Sequence, residues 1–171
     1  MASIVVLHVD DDPDVLDLAA TSLEGESNRL RLRTASSDDD ALSILCEGEI
    51  DCAVSEYEMA DTTGLSLLES VREEFPDHLF ILFTGRGSET IASRAISAGV
   101  TDYLQKEIST DGYAILANRI ESVVHSARTE RALQESEERY LDMYRSTGKR
   151  EHLTRVERAH ERMANIVKGE S

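Results

Sequence analysis

The chain has 171 residues, 40% of them hydrophobic, which predicts one ordinary domain with an appendage. Its 34 acidic and 18 basic side chains give a formal net charge of −16, so unaided binding to nucleic acid or to anionic lipid is disfavoured. The longest clean apolar stretch, residues 79–83, is too short to span a bilayer, and no basic-then-apolar leader opens the chain. We therefore expect a soluble, cytoplasmic protein.

The negative charge is confined to one part of the chain. Residues 1–128 carry 25 acidic and 9 basic side chains, whereas residues 129–171 carry 9 of each. The bases are 15 arginines and only 3 lysines. An acid-rich surface with few lysines is favoured in a cytosol of molar salt, because salt screens the repulsion between like charges. These observations predict a domain over residues 1–128, a helical tail over residues 129–171, and a halophilic source.

Five short apolar segments, each followed by helical periodicity, make up the first 128 residues. Pro13 lies in the first turn of the first helix, Ser36 and Ser37 can cap the second, and the fifth begins near Thr110. This alternation predicts an α/β fold with a parallel sheet covered on both faces. Right-handed crossovers and a single switch point favour the flavodoxin-like, doubly wound strand order 2-1-3-4-5. The strands are predicted at residues 4–9, 30–34, 52–55, 79–83 and 101–104.

Three residues with reactive side chains are expected to be structural. His8 lies within the first strand, where a core or edge histidine is expected rather than a ligand. Cys46 and Cys52 do not form a CxxC pair, and both are expected to be buried thiols. The sequence therefore predicts no zinc site and a reducing compartment.

Charged and hydroxyl side chains follow four of the predicted strands. Asp10 and Asp11 follow the first strand, Glu56 the third, Thr84 the fourth and Lys106 the fifth. The carboxyl ends of parallel strands share one edge of a sheet, so these side chains should converge. Clustered carboxylates favour a hard divalent cation such as Mg²⁺, while a hydroxyl and an ammonium suit the oxygens of a phosphoryl group. The sequence predicts a metal-assisted phosphoryl site.

The same segments resemble the receiver domain of two-component response regulators, over about residues 3–128. Spacings of 45, 28 and 22 residues separate Asp11, Glu56, Thr84 and Lys106, and these fit the family. The sequences of the segments at residues 83–88 and 102–106 resemble haloarchaeal receivers in particular, which implies an archaeal source. The matching segments are VDDDP (9–13), VSEYEMADTTGLSLL (54–68), FTGRGS (83–88) and DYLQK (102–106).

The resemblance implies a role for each residue of the acidic crevice. Asp10 and Asp11 correspond to the acid pair that binds Mg²⁺, together with the side chain at position 56 and the backbone carbonyl of Glu58. Glu56 occupies the position of the phosphate acceptor. Any Mg²⁺ bound here is expected to be held more weakly because of Glu56.

The resemblance also implies a switch and its partners. Thr84 corresponds to the hydroxyl that moves to meet the phosphoryl group, and Lys106 to the lysine that pairs with it. Tyr103 corresponds to the aromatic side chain that reports the state to the face formed by the fourth helix, fifth strand and fifth helix. The implied partner is a sensor histidine kinase or a downstream signalling protein, and this face is where a homodimer would form.

Two positions depart from the family pattern. The acceptor is an aspartate in the family and Glu56 here, and the proline usual four residues later is Ala60. Glutamate is one methylene longer, and a misplacement of about 1 Å can cost ~10²-fold in rate, so phosphorylation of Glu56 is not expected. Two interpretations stay open: Glu56 imitates the phosphorylated state with one negative charge instead of about two, or the domain is an inert scaffold. Phosphorylation of Asp51 or Asp61 is a third alternative.

The tail carries a heptad stripe after a predicted helix break at Gly148. Apolar and histidine side chains recur there at spacings of 3, 4, 3 and 4 residues. About two heptads are too short to hold two chains together alone. The stripe therefore predicts either a hairpin folded back on residues 130–147 or a coiled coil added to an existing dimer. Its members are Leu153, Val156, His160, Met163 and Val167.

We therefore expect an atypical receiver that acts through protein contacts, with no enzymatic activity and no contact with nucleic acid or membrane. The tail has no net positive charge and no second recognition helix, so a helix-turn-helix module is not expected. One alternative is a metal-dependent phosphatase or phosphotransferase that uses the same acids. Asp10 and Asp12 have the spacing for it, but Pro13 and the absence of a cap domain argue against it. Another alternative is a purely structural coiled-coil adaptor.

Overall fold

The computed structural model describes residues 2–106, 111–147 and 151–167, apart from the side chains of residues 151–153, 155, 156 and 167. None of the described helices is both long enough and apolar enough to cross a membrane. The elements are β1 Ile4–Val9, α1 Pro13–Glu26, β2 Leu30–Ala35, α2 Asp38–Cys46, β3 Cys52–Ser55, α3 Gly64–Glu74, β4 Leu79–Thr84, α4 Glu89–Ser97, β5 Asp102–Gln105, α5 Gly112–Thr147 and α6 Glu151–Val167.

The five strands form one parallel sheet in the order β2-β1-β3-β4-β5, which confirms the predicted flavodoxin-like topology. β1 lies between β2 and β3, so the direction of the crossovers reverses there. The backbone ladder continues past the strand ends: Glu56 N–H donates to the Val9 carbonyl at 3.1 Å, and Lys106 N–H donates to the Thr84 carbonyl at 2.8 Å. These bonds hold the first residues after β3 and β5 level with the ends of β1 and β4.

Side chains alternate between two apolar layers, one on each face of the sheet. Leu7 and Val9 of β1 face the layer that contains the buried side chains of α2, α3 and α4. Ile4 and Val6 face the opposite layer, formed with α1 and α5. The alternation therefore turns His8 toward the α1 and α5 side, where it is buried as a core histidine, as expected.

Side-chain caps begin the helices where the sequence signals them. The Asp12 carboxylate accepts from Asp14 N–H at 3.0 Å, and Pro13 takes the first position of α1, where a missing N–H costs nothing. Ser37 caps α2 by accepting from Asp40 N–H at 3.2 Å. The predicted ends of three strands are each one residue early. β2 ends at Ala35, β4 ends at Thr84, and β5 spans Asp102–Gln105.

The expectation for Cys46 is wrong, whereas Cys52 is buried in β3 as predicted. Cys46 is the last residue of α2 and is exposed. Its sulfur lies 4.0 Å from the Glu74 carboxylate. The buried face of α2 consists of Ala41 and Leu45, and Cys46 is turned about 100° around the helix from Leu45, toward solvent.

The chain divides into two compact units, residues 1–124 and residues 125–171. In the second unit, the His160 imidazole contacts the Glu137 carboxylate, which links α6 to the second half of α5. This contact favours the hairpin that the heptad stripe allows. Of the stripe, Met163 is half-buried and His160 exposed, while the predicted break at Gly148 and three of the side chains lie outside the described residues. Self-association through the tail stays a prediction.

Candidate functional site

The end of β1 provides two carboxylates in different surroundings. Asp10 is buried, with 4% of its surface exposed, and its Oδ1 accepts from Asp12 N–H at 3.0 Å. Burial raises the pKa of Asp10, because the charged form is deprived of water. Asp11 is exposed at the rim. The predicted acid pair thus has one inner and one outer member.

Glu56 follows β3 and turns toward the lysine that follows β5. Lys106 Nζ donates to Glu56 Oε2 at 2.8 Å, and it lies 4.0 Å from Asp10 Oδ2. The other oxygen, Oε1, accepts from Tyr57 N–H at 2.8 Å. Burial alone would raise the pKa of Glu56, but hydrogen bonds from Lys106 and Thr84 outweigh it and hold that pKa below its usual value. Glu56 is therefore held as a carboxylate.

Thr84 ends β4 with its side chain fully buried beside this ion pair. Its Oγ1 accepts from Arg86 N–H at 3.1 Å, which fixes the start of the following loop. Its hydroxyl contributes to the low pKa of Glu56. The predicted hydroxyl, ammonium and carboxylate are thus brought together, as the strand ends require.

The loop after β3 is bound to the loop after β1 by a backbone amide. Ala60 N–H donates to Asp11 Oδ2 at 2.5 Å. Gly64 permits the tight return of this loop, because a Cβ there would overlap the Glu56 carbonyl oxygen and the Leu82 side chain. Asp11 is therefore not free at the rim, although its side chain is exposed to solvent.

An open crevice of about 340 Å³ lies above these groups. At its outer side, the exposed Arg86 guanidinium lies 3.4 Å from Glu58 Oε2. Surface pairs of this kind contribute little to stability, ~0–1 kcal/mol. The crevice is lined by Asp10, Asp11, Glu56, Glu58, Arg86 and Lys106, among others.

Tyr103 lies in β5 and packs against the layer on the α2, α3 and α4 side of the sheet. Its hydroxyl reaches the loop after β4, where a Cβ on Gly87 would overlap it. Burial raises the pKa of Tyr103. The ring is thus turned inward, with its hydroxyl beside the loop that follows Thr84.

His8 lies next to this site, although the sequence analysis assigned it only a structural role. It precedes Asp10 by two residues in an extended strand, so it shares a face with Asp10 and lies beneath it. The charges of Lys106 and Glu56 both reach it. The alternation along β1 was the signal that could have revealed this position.

The carboxylates have suitable chemistry for Mg²⁺, yet each is already engaged by a donor of the protein. Lys106 binds Glu56, the Asp12 amide binds Asp10, and the Ala60 amide binds Asp11. Within residues 2–106, 111–147 and 151–167, no three His, Cys, Asp or Glu side chains are grouped so as to hold one metal ion. The arrangement therefore does not fit a cation as it stands, and the metal roles inferred from the resemblance stay predictions.

Comparison with known proteins identifies the same region. A family model for the response regulator receiver domain matches residues 6–117. The chain is 30% identical over 121 residues to an NtrX-like response regulator of Rickettsia bellii, and 27% identical over 115 residues to the response regulator SaeR of Staphylococcus aureus. These alignments cover 70% and 67% of this chain, but only 25% and 49% of the two relatives. The chain thus spans a quarter to a half of the length of these curated relatives.

Solved receiver domains share the fold. A CheY-like receiver domain of Methanospirillum hungatei is 23% identical with a TM-score of 0.66, over 75% of this chain and 99% of that one. A receiver domain of Clostridium thermocellum is 26% identical with a TM-score of 0.60, over 68% and 93%. TrrA of Thermotoga maritima, solved in complex with Mg²⁺ and BeF, is 24% identical with a TM-score of 0.59, over 68% and 98%. Because the family model matches more than half of its length, the chain belongs to the response regulator receiver domain family.

Proposed function

We propose that this receiver works without phosphorylation and passes its signal on through protein contacts. The observation that carries the proposal is the 2.8 Å hydrogen bond from Lys106 Nζ to Glu56 Oε2. Lys106 and the Thr84 hydroxyl both act on the Glu56 carboxylate. In the phosphorylated family member these two groups would face a phosphoryl group. Glu56 thus supplies a permanent negative charge to both.

The surroundings of Glu56 favour a resting charge over a nucleophile. Both of its oxygens accept hydrogen bonds, one from Lys106 and one from Tyr57 N–H. Its low pKa marks a weakly basic carboxylate. Because this charge acts on Lys106 and Thr84, the two groups that would face a phosphoryl group, it supports imitation of the active state rather than an inert scaffold. A carboxylate carries one charge where a phosphoryl group carries about two, so the imitation is partial.

Neither alternative acceptor is supported by its surroundings. Asp51 precedes β3, at the opposite end of the strand from the crevice, and its carboxylate accepts from Val5 N–H at 2.8 Å. Asp61 lines a neighbouring cleft that adjoins the crevice at Asp11, but the lining of this cleft includes neither Glu56 nor Lys106. A phosphatase with the Asp10 and Asp12 spacing would use the Asp12 carboxylate in catalysis. Here that carboxylate is already engaged as the cap of α1. We therefore propose a signalling role and no enzymatic activity.

The proposed partner is a sensor histidine kinase or a downstream signalling protein of the cytoplasm. Contact through the face of α4, β5 and α5, including formation of a homodimer, is supported by two apolar side chains there, Ile96 at 70% and Ile115 at 45% exposure. The Arg119–Asp102 ion pair, 2.6 Å long, joins α5 to β5 near this face. The charge of −16 argues against nucleic acid as a partner and for a cytosol of molar salt as the working medium. The resemblance to haloarchaeal receivers supports an archaeal source.

Labelling with acetyl phosphate and Mg²⁺, read by mass spectrometry, tests the proposal. The wild type should take up no phosphoryl group. In Glu56→Asp the shortened carboxylate can attack phosphorus with departure of acetate, which forms an acid-stable, base-labile acyl phosphate. Glu56→Gln is the matched control, because it keeps the length of the side chain and loses the charge. Stoichiometric labelling of the wild type would overturn the proposal.

A further inference from the structure

We propose that the backbone N–H of Ala60 takes the place of a divalent cation in this crevice, so that the receiver holds its acidic loops together without metal. The inference rests on the proposed function and extends it from the phosphoryl group to the cation. Ala60 is a positioning residue in this proposal, and it acts through Asp11.

The hydrogen bond joins two loops that a shared cation would otherwise join. Ala60 N lies 2.5 Å from Asp11 Oδ2, across a separation of 49 residues in sequence. A hydrogen bond between an N–H group and a carboxylate is shorter and stronger than one between neutral groups. A cation that binds Asp11 must first displace this donor or share the carboxylate with it.

The remaining carboxylates are also bound by groups of the chain itself. Lys106 Nζ lies 2.8 Å from Glu56 Oε2 and 4.0 Å from Asp10 Oδ2, so one ammonium group serves both acids. The Asp12 amide donates to Asp10 Oδ1. Asp11 follows β1, but its donor, the Ala60 amide, belongs to the loop after β3. Whether a cation can bind in the crevice thus depends on the Ala60 amide.

The identity of residue 60 decides whether this donor exists. Every residue except proline carries a backbone N–H, and the side chain of Ala60 takes no part in the bond. Ala60→Pro therefore deletes the donor, while Ala60→Ser keeps it and changes only the side chain. This pair of variants separates the hydrogen bond from any effect of the side chain.

Calorimetric titration of the full chain with MgCl₂, at constant KCl and without a phosphodonor, tests the inference. The wild type and Ala60→Ser should bind Mg²⁺ with equal, weak affinity. Ala60→Pro should bind it about 10-fold more tightly or better, because a charge-assisted hydrogen bond no longer competes for Asp11. Adding Asp11→Asn to Ala60→Pro should abolish the gain. Equal affinity in the wild type and Ala60→Pro, or a gain that survives Asp11→Asn, would overturn the inference.

A second measurement on the wild type does not depend on the folding of the proline variant. The Ala60 amide should be protected from hydrogen exchange, should lose that protection in Asp11→Ala, which removes the acceptor, and should keep it when Mg²⁺ is added to 10 mM. Loss of protection on addition of Mg²⁺ would show that the cation displaces the amide, against the inference. Labelling by acetyl phosphate plays no part in either measurement. A phosphorylated wild type would therefore refute the proposed function alone.

Discussion

Replacement of His8 by leucine should change the pH dependence of stability, because this histidine is buried beneath the acidic crevice. Only 1% of its surface is exposed, and within the described residues neither ring nitrogen has a hydrogen-bond partner. Burial, aided by the nearby charge of Lys106 and opposed by Glu56, lowers the pKa of His8 from 6.5 to about 4. The folded protein therefore holds His8 in its neutral form.

The magnitude follows from the two pKa values. In the unfolded chain, the His8 imidazole becomes protonated below its ordinary pKa of 6.5. In the folded chain, it becomes protonated only near pH 4. The stability that neutral His8 contributes is thus complete above pH 6.5, declines as the pH falls, and is lost near pH 4. Between pH 8 and pH 5 this linkage lowers the free energy of unfolding of the wild type by about 2 kcal/mol.

Urea denaturation of the wild type and His8→Leu, at pH 5, 6, 7 and 8 and constant KCl, measures the effect. Leucine has a similar volume and removes two unpaired polar atoms, so we expect the variant to be at least as stable as the wild type at pH 8. At pH 5 the difference should grow by about 2 kcal/mol in favour of the variant. The carboxylates titrate in both proteins, so they largely cancel in this comparison.

The pH dependence of the difference is the decisive quantity, whatever its value at pH 8. A difference that stays constant within ~0.5 kcal/mol from pH 5 to pH 8 would refute the reasoning. It would mean that His8 accepts a proton in the folded state as readily as in the unfolded chain.

Two further predictions concern the charges of the domain. Lys106→Met should lower the free energy of unfolding by about 2 kcal/mol or more, since Glu56, whose side chain is 13% exposed, is left without its cation. Arg33→Met is the matched control, because its partner Glu47 is 53% exposed and such pairs contribute ~0–1 kcal/mol; equal losses in urea at pH 7 would contradict the prediction. The melting temperature should rise from low to molar KCl, because residues 1–128 carry the whole charge of −16, and a flat or falling curve would count against screening as the cause.

The sheet could be predicted from the sequence because each of its signals is local. β1 and β3 are short apolar runs bounded by charged or turn residues, and the structure places them at the predicted residues. The cap at Ser37 is equally local, since its side chain binds an amide three residues later. Parallel strands with helical crossovers then leave few topologies, and the reversal at β1 fixes where the carboxylates meet.

The contacts within the site were only partly predictable. The Glu56–Lys106 ion pair follows from charge and from the strand ends, so the residue types indicate it in advance. The Ala60 hydrogen bond does not, because the donor is a backbone amide and alanine bears no chemical signature. The resemblance to the family shows only that alanine replaces the usual proline at position 60. The course of the loop, which Gly64 allows by its lack of a Cβ, is what brings that amide to Asp11.

The two departures at Glu56 and Ala60 lie on one loop, and they affect phosphorylation in different ways. Glu56→Asp restores the length of an attacking side chain, but it leaves Asp11 bound to the Ala60 amide. If a cation must share Asp11 for the transfer to proceed, Glu56→Asp alone should be labelled by acetyl phosphate only at high Mg²⁺. The double variant Glu56→Asp/Ala60→Pro should reach the same labelling at about 10-fold lower Mg²⁺, because the competing hydrogen bond is gone. Mass spectrometry across a MgCl₂ series gives both midpoints. Coincident midpoints would show that the glutamate alone separates this receiver from its phosphorylated relatives.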